Sequence, residues 1–540
     1  MPERLTSIQL PVGTGDPKRA LRREVARRLQ VSETSLLEVF VVRRSLDSRR
    51  GRQTCWVHTV EVWRVGEEEA LASEEAQRRE RQTPEHKAFQ EADIHPGPMR
   101  PIIVGAGPAG LFAALTFADH GVECVVLDRG LAVEDRHLDV RKFRRTGELN
   151  AESNLCFGEG GAGTYSDGKL YTRKHHPLVR AVYERLVAFG ATGAILTDAH
   201  PHIGTNRLYA ILKGIREHLA ARGTEIRFNA RMRSLEVRDG VARGAVLDSG
   251  EVIAGAPVIL ATGHSARDIY AELADLGVPM VPKSFAIGAR CEHPQAFVDQ
   301  AQHGAMVGHS ELEPAEYFLS CQVGDRGLYS FCMCPGGYII PTPTEPGHLN
   351  VNGMSNSNRG GEFANAALVV TVRPEDFHVE RPGDLDSHGA LKGIAFQREW
   401  ESRAYAAGGG GYHAPAQRLT DFVSGRSTGQ LTPRTSYRPG VTSASLEEML
   451  PASVVETMRQ GIRMLDRKMR GYLMDDALLI GVETTTSTPV RIVRGEDYMS
   501  PGMRELYPTG EGAGYSGGIV SSAIDGIRAA RAALESSRVD

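Results

Sequence analysis

The most constraining stretch of this chain is an apolar run, Ile102-Ile103-Val104, that leads directly into Gly105-Ala106-Gly107-Pro108-Ala109-Gly110. An apolar, helix-like segment follows over Leu111–His120, then a second strand-like run over Cys124–Leu127. Asp128 closes that run 18 residues after Gly110. A lone GxGxxG pattern is weak. Here it follows a strand, opens a helix and is succeeded by a second strand ending in an acid, which is the full dinucleotide-binding pattern. Gly105 permits the tight turn, Gly107 lets a pyrophosphate approach the backbone, and Gly110 lets helix and strand pack closely. Pro108 and Ala109 lie at the helix start, whose free N–H groups and partial positive charge favour phosphate. Asp128 can accept from adenosine ribose hydroxyls. An acid there favours a free 2′-hydroxyl, so the site suits FAD or NAD and not NADP. Arg129 and Arg136 are candidate cofactor contacts. Arg136 and Arg141 can reach phosphates or face solvent on a helix.

Two later stretches select FAD. Val258–Gly263 is a strand ending in Ala261-Thr262-Gly263. It resembles the returning strand of glutathione-reductase-type flavoproteins. Arg504–Ile519 reads RELYPTGEGAGYSGGI before a helix and resembles the C-terminal flavin motif of the same proteins. That likeness implies that Gly510 and Glu511 approach the ribityl and pyrophosphate. It also implies that Tyr515, Ser516, Gly517, Gly518 and Ile519 bring a helix N-terminus to the flavin ring. Gly512–Gly517 also fits GxGxxG, but no long apolar strand precedes it and no second strand and acid follow. It is therefore read as part of the FAD site. Met232 is a further expected cofactor contact.

Several long blocks then match one family: SNLCFGEGGAGTYSDGKL (153–170), HPHIGTNRL (200–208), GHSARD (263–268), FCMCPGG (331–337), NGMS (352–355) and GVETTTSTPVRI (481–492), with RRSLDSR near residue 45. Together they resemble the bacterial and plastid FAD-dependent or "NAD-utilizing" dehydrogenases. The resemblance covers nearly the whole chain. It implies an α/β fold, with a glutathione-reductase-like FAD-binding Rossmann domain, an inserted β-rich substrate or cap domain and a small N-terminal α/β (ferredoxin-like) domain. It supplies no substrate. Two departures are small: Asp128 stands where many FAD proteins carry Glu, and Tyr165 stands in place of an expected Phe.

The boundaries read as residues 1–65 for the N-terminal domain, 66–98 for a charged linker and 99–280 for the first part of the FAD domain. Residues 281–440 read as the β-rich domain, and 441–540 as a helical segment with the last FAD-binding part. The linker is charged and nearly devoid of branched aliphatics, so few contacts are expected to cross it. Positions 18–53 carry 11 Lys and Arg against 4 Asp and Glu. Such a patch can touch RNA or an acidic protein, but no aromatic-plus-basic ribonucleoprotein signature accompanies it, and a solvated face is the plainer reading.

Composition narrows the rest. Net charge is −4 over 540 residues, which gives no general pull toward nucleic acid or anionic membrane. Glycine, at 59 residues, is in excess, as tight loops and close cofactor approaches require. Seven cysteines, an odd and small number, and no secretory leader point to a reducing, cytoplasmic setting. No apolar run is long enough to span a membrane.

Flavin chemistry asks the protein for an oriented ring, a dry face and tuning groups. Gly161, Ala162 and Gly163 can lie against the cofactor without steric obstruction. Lys169 can stabilise negative charge on reduced flavin or serve a structural ion pair, and His264 is a candidate general base. Cys332 and Cys334 form either a strained redox pair or a tight loop with inert thiols. Residues 131–150 hold no cysteine, so the CxxxxC mechanism of disulfide reductases is excluded. His175-His176, His200 and His202 have no companion ligands at metal spacing, so no metal is expected. Trp56, Trp63 and Trp400 are the only tryptophans, which argues against a flavin halogenase. The expected function is an FAD-dependent oxidoreductase with non-covalent FAD, exchanging hydride between flavin N5 and a small molecule. The alternatives are a monooxygenase using NAD(P)H transiently, or an FAD-loaded module that contacts RNA or protein through its basic N-terminal domain. An electron-donor protein is a further possible partner.

Overall fold

A computed structural model describes residues 2–49, 52–91, 93–172, 176–379, 389–431 and 434–537. His175 lies outside the described residues.

The chain organises around a five-stranded parallel sheet. Ile102–Val104 pairs with Val125–Leu127 on one side and Val258–Leu260 on the other. Glu225–Arg227 and Leu506–Pro508 form the two edges. The three central strands are wholly buried and apolar on both faces, as parallel strands covered on both sides must be. Helix Pro108–Asp119 follows the first of them, and the last helix, Ile519–Ser536, packs on it. Gly526 comes so near the Ala109 carbonyl oxygen that no Cβ would fit between them. Because Leu506–Pro508 belongs to this sheet, Gly512–Gly517 continues the same nucleotide fold.

A larger sheet forms the second layer. Its order is Ser320–Val323, Arg326–Pro341, Phe363–Val372, Phe285–Pro294, Leu478–Glu483, Ala414–Arg418 and Val441–Ser443, with Val351–Met354 added to Arg326–Pro341. Helix Ala452–Lys468 covers it through Val454, Val455, Met458, Ile462 and Leu465. This corrects the expected boundary at 440. The fully buried strand Leu478–Glu483 sits inside the large sheet, so the β-rich unit runs from Phe285 to Glu483.

The N-terminal unit has three antiparallel strands, Glu3–Pro11, Cys55–Arg64 and Leu36–Asp47, in that spatial order. Helix Pro17–Leu29 buries Leu21, Val25 and Ala26 against them. It is a partial ferredoxin-like unit, and it is not detached. The Arg44 N–H donates to the Thr197 carbonyl at 2.8 Å, and the Ala199 N–H donates to the Arg44 carbonyl at 2.9 Å. The Arg44 guanidinium also pairs with Asp198. Residues 66–98 are likewise more than a linker. Glu68–Arg81 is a helix, and beyond it Phe89 and Ile94 are buried in the core of the FAD domain. Two apolar side chains suffice to anchor the segment. Phe89 lies 5.7 Å from the Phe112 ring, and its N–H donates to Asp119.

Candidate cofactor site

Gly105 turns with φ +108°, and a Cβ there would run into the Ala261 carbonyl. Gly110 is packed as tightly against the Gly105 carbonyl oxygen. Gly107 differs: a Cβ would meet only the Gly161 Cα, at 3.9 Å. The first and third glycines thus serve the fold, while the second faces open space. Gly107 caps helix Pro108–Asp119 without any side-chain hydrogen bond, leaving the first-turn N–H groups available to an anion.

Asp128 is buried, and both of its carboxylate oxygens are engaged. One accepts from the Ala106 N–H at 2.8 Å and the other from the Gly130 N–H at 2.9 Å. It fixes the glycine turn and keeps lone pairs for ribose hydroxyls. The Ala230 N–H donates to the Asp128 carbonyl, which sets the start of strand Met232–Arg238, and so Met232, beside that turn.

The helix Ile519–Ser536 begins at Gly518, also without a side-chain cap. Gly517 and Gly518 are exposed, and a Cβ on Gly517 would meet nothing within 4 Å. Gly161 and Gly163 bridge the two helix starts. Gly161 stands against Gly107, and a Cβ on Gly163 would lie 3.3 Å from Ile519 and 3.8 Å from Pro108. Ala162 between them is exposed. Two uncapped helix N-termini therefore converge on one glycine-rich turn, and the open surfaces of Gly107, Ala162, Gly263, Gly517 and Gly518 fit an extended dinucleotide.

Gly510 donates its N–H to Asp525 at 2.7 Å, and Asp525 in turn pairs with Arg494. Arg494 lies 3.8 Å over the Tyr515 ring, and Ser516 hydrogen-bonds Ser522 at 2.8 Å. Asp525 and Arg494 were not anticipated from the sequence. The available signal was an acid within an otherwise apolar helix face. Glu511, partly buried, follows Gly510 in this loop. Thr262 and Gly263 end the Val258–Leu260 strand, and Gly512 stands against Gly263.

Three expected contacts take other places. Arg136 does not reach a phosphate. It is fully buried, and its guanidinium donates to the carbonyls of Asn154, Gly158, Glu159 and Gly161 at 2.6–3.2 Å, which uses its donors to shape the glycine-rich turn. Arg129 is held by Glu152 at 2.6 Å and Asp268 at 2.9 Å, over the Phe157 ring, while Arg141 is exposed. Both candidate catalytic groups are engaged structurally. His264 Nε2 lies 3.0 Å from the Thr485 carbonyl oxygen and Nδ1 3.2 Å from Ser265, so it ties the Ala-Thr-Gly turn to the 484–488 segment. Lys169 donates to the Met333 carbonyl and pairs with Glu316 at 3.3 Å and Asp167 at 3.8 Å. Burial works to lower its pKa, but the two carboxylates outweigh it and hold Lys169 above the ordinary lysine range.

The 484–488 segment joins the cradle through Tyr270, whose hydroxyl meets Thr488 at 3.0 Å and donates to the Gly512 carbonyl at 2.7 Å. Arg267, buried, pairs with Glu401 at 2.7 Å, and Glu401 also holds Thr484 at 2.5 Å. Among the described residues, no three His, Cys, Asp or Glu side chains gather as a metal site, and all seven cysteines are free. No helix among them is long and apolar enough to cross a membrane.

Comparison with known proteins matches residues 99–144 to an FAD binding domain and 284–486 to the FAD-dependent protein, C-terminal domain-like family. Residues 1–63 match a domain of unknown function. A Clostridium beijerinckii protein described as uncharacterized is 39% identical over 545 residues, covering 98% of each chain. Among solved structures, CtdE in complex with FAD is similar at 12% identity and TM-score 0.32, over 81% of this chain and 84% of that one. A geranylgeranyl bacteriochlorophyll reductase-like protein from Thermoplasma acidophilum is similar at 11% identity and TM-score 0.33, over 81% and 78%.

Proposed function

Because the chain belongs to the family of FAD-dependent flavoproteins, we propose that it is an oxidoreductase whose small-molecule substrate binds between the parallel-sheet domain and the large sheet. FAD, when bound, supplies hydride exchange at flavin N5. The chain's own residues do the rest. The first-turn N–H groups of helix Pro108–Asp119 bind the pyrophosphate, and Asp128 orients the adenosine ribose. The start of helix Ile519–Ser536 offers its positive end where negative charge develops on the ring. Arg136 keeps the Gly161–Gly163 turn in place between the two helices. His264 and Tyr270 hold residues 484–488 over the cleft, where buried Thr484 and Thr488 exclude water.

The observation that carries this reading is the convergence of Gly107, Gly161–Gly163 and Gly518. The test is anaerobic absorbance of the purified yellow protein mixed with NADH or NADPH. Bleaching of the flavin band, competed by substrate, supports the dehydrogenase reading. A substrate-stimulated burst of oxygen uptake would favour a monooxygenase. Absence of bleaching with retention on immobilised RNA would replace both with a binding role.

A further inference from the structure

The strand Arg326–Pro341 breaks its register at Cys332. Phe331 pairs with Ala367, and the next partners are Cys334 and Asn365, so one extra residue bulges between them. Cys332 sits in the bulge with φ +46°, a left-handed conformation costly for a side chain other than glycine's. Bulges re-aim side chains and recur beside functional sites. Cys332 is partly exposed and Cys334 is buried, its thiol donating to the Cys332 carbonyl at 3.4 Å.

Two cations attend the pair. The fully buried Arg290 donates to the Cys332 carbonyl at 2.8 Å and is held by Glu483 at 2.5 Å. Arg290, Asn365 and the buried thiol all pack against Gly353: a Cβ there would lie 2.7 Å from Arg290 Nη1 and 3.1 Å from Cys334 Sγ. Lys169 is anchored on the Met333 carbonyl, between the two cysteines. Opposite Cys334 in the ladder, Asn365 keeps its Nδ2 buried and without a partner. The groups facing the pair are thus Arg290, Lys169, Asp167, Glu483 and Asn365. The Cys334 thiol, Arg290 and Lys169 together hold Cys332 well below the usual thiol range, while Cys334 is pushed up. A lowered thiol on a partly exposed residue beside a buried thiol that is pushed up is the division of labour of an attacking and a resolving cysteine.

We infer that Cys332 and Cys334 form a redox-active dithiol that exchanges with low-molecular-weight disulfides. Cys332 thiolate attacks one sulfur of the disulfide, forming a mixed disulfide and releasing one thiolate, which takes up a proton. Cys334 then loses its proton and attacks Cys332 Sγ, expelling the second thiol. The dithiol is oxidised by two electrons to the Cys332–Cys334 disulfide, and the external disulfide is reduced to two thiols. This chemistry needs no flavin, so it stands apart from the function proposed above.

Trypsin gives a direct test, because residues 327–359 contain no internal Lys or Arg and hold only these two cysteines. The FAD-replete full chain is incubated with oxidised glutathione, then denatured, alkylated and digested. The wild-type peptide should emerge unalkylated and two hydrogens lighter, and doubly alkylated after reduction. Cys334→Ser should retain one glutathione on Cys332, and Cys332→Ser should retain none. A wild-type peptide that stays doubly alkylated overturns the inference, whatever the variants do. So does equal glutathione capture by the two variants.

Discussion

Arg136 Nη2 donates to the Gly161 carbonyl oxygen at 2.9 Å, from a side chain with no exposure to solvent. A charge is therefore buried to hold a glycine, and the glycine lies between the two helix N-termini of the cofactor cradle. Four carbonyls share that one guanidinium, with the Tyr165 ring 4.9 Å beneath it.

Replacing Arg136 by Met should leave those carbonyls buried without donors. Leaving a buried acceptor without its donor costs about 1–3 kcal/mol. We expect a fall in melting temperature together with loss of flavin from the protein that remains folded. Arg141→Ala, at an exposed site on the same helix, should change stability by less than about 0.5 kcal/mol. Thermal denaturation and the flavin-to-protein absorbance ratio check both.

The glycines of the first turn should separate by role. Gly107→Val should fold, because the space beyond its Cα is open, yet should purify colourless, because the branched side chain occupies the pyrophosphate position. Gly105→Ala should instead lose stability, by roughly 1–3 kcal/mol, from a positive φ and a collision with Ala261. A yellow Gly107→Val protein after FAD addition would contradict the placement.

Truncation should be tolerated only up to the helix end near residue 82. Removal of residues 1–95, which the charged composition alone would permit, takes away Phe89. That leaves a cavity beside Phe112 and deprives Asp119 of one donor. Emptying a buried Phe site costs roughly 3–5 kcal/mol. Soluble yield and melting temperature of the two truncations should differ accordingly.

Acid should destabilise the fold through buried histidines. Burial lowers His293 to about 4, and burial with Arg222 and Arg185 lowers His218 to about 4. Both folded values lie below the unfolded value of about 6.5, so the unfolded chain binds protons first. The stability they contribute is complete above pH 6.5 and is lost as pH falls toward 4, by about 1.4 kcal/mol per pH unit for each group. Urea midpoints at pH 7 and pH 5 should therefore differ, and His293→Gln should shrink the difference.

The dinucleotide turn was legible because its glycines are dictated by backbone geometry, which sequence spacing reports directly. Gly105, Gly107, Gly110 and Asp128 all lie where the pattern requires. Arg136 was misread because sequence displays charge and not burial. A cation near a glycine-rich loop suggests phosphate, and only the fold shows its donors already taken. From sequence the strand Leu478–Glu483 falls in the last FAD-binding part, because its insertion between Phe285–Pro294 and Ala414–Arg418 depends on pairings far apart in the chain. The basic stretch 18–53 showed its own charges and not the acids that meet them, such as Asp198 with Arg44. Phe89 was missed because two apolar residues scarcely register in a charged segment, although one buried ring is enough to anchor it.

The pairing of Arg44 with Thr197 and Ala199 bears on solubility as well as on architecture. Leu36–Asp47 is an outer strand of its sheet, and an outer strand with free N–H and C=O groups invites pairing with another chain. Here the loop before His200 fills that position near Arg44, so the FAD domain covers part of this outer strand. Cut away from the rest of the chain, residues 1–65 would carry an unprotected edge, and this small unit is better regarded as a guest of its neighbour than as a portable module.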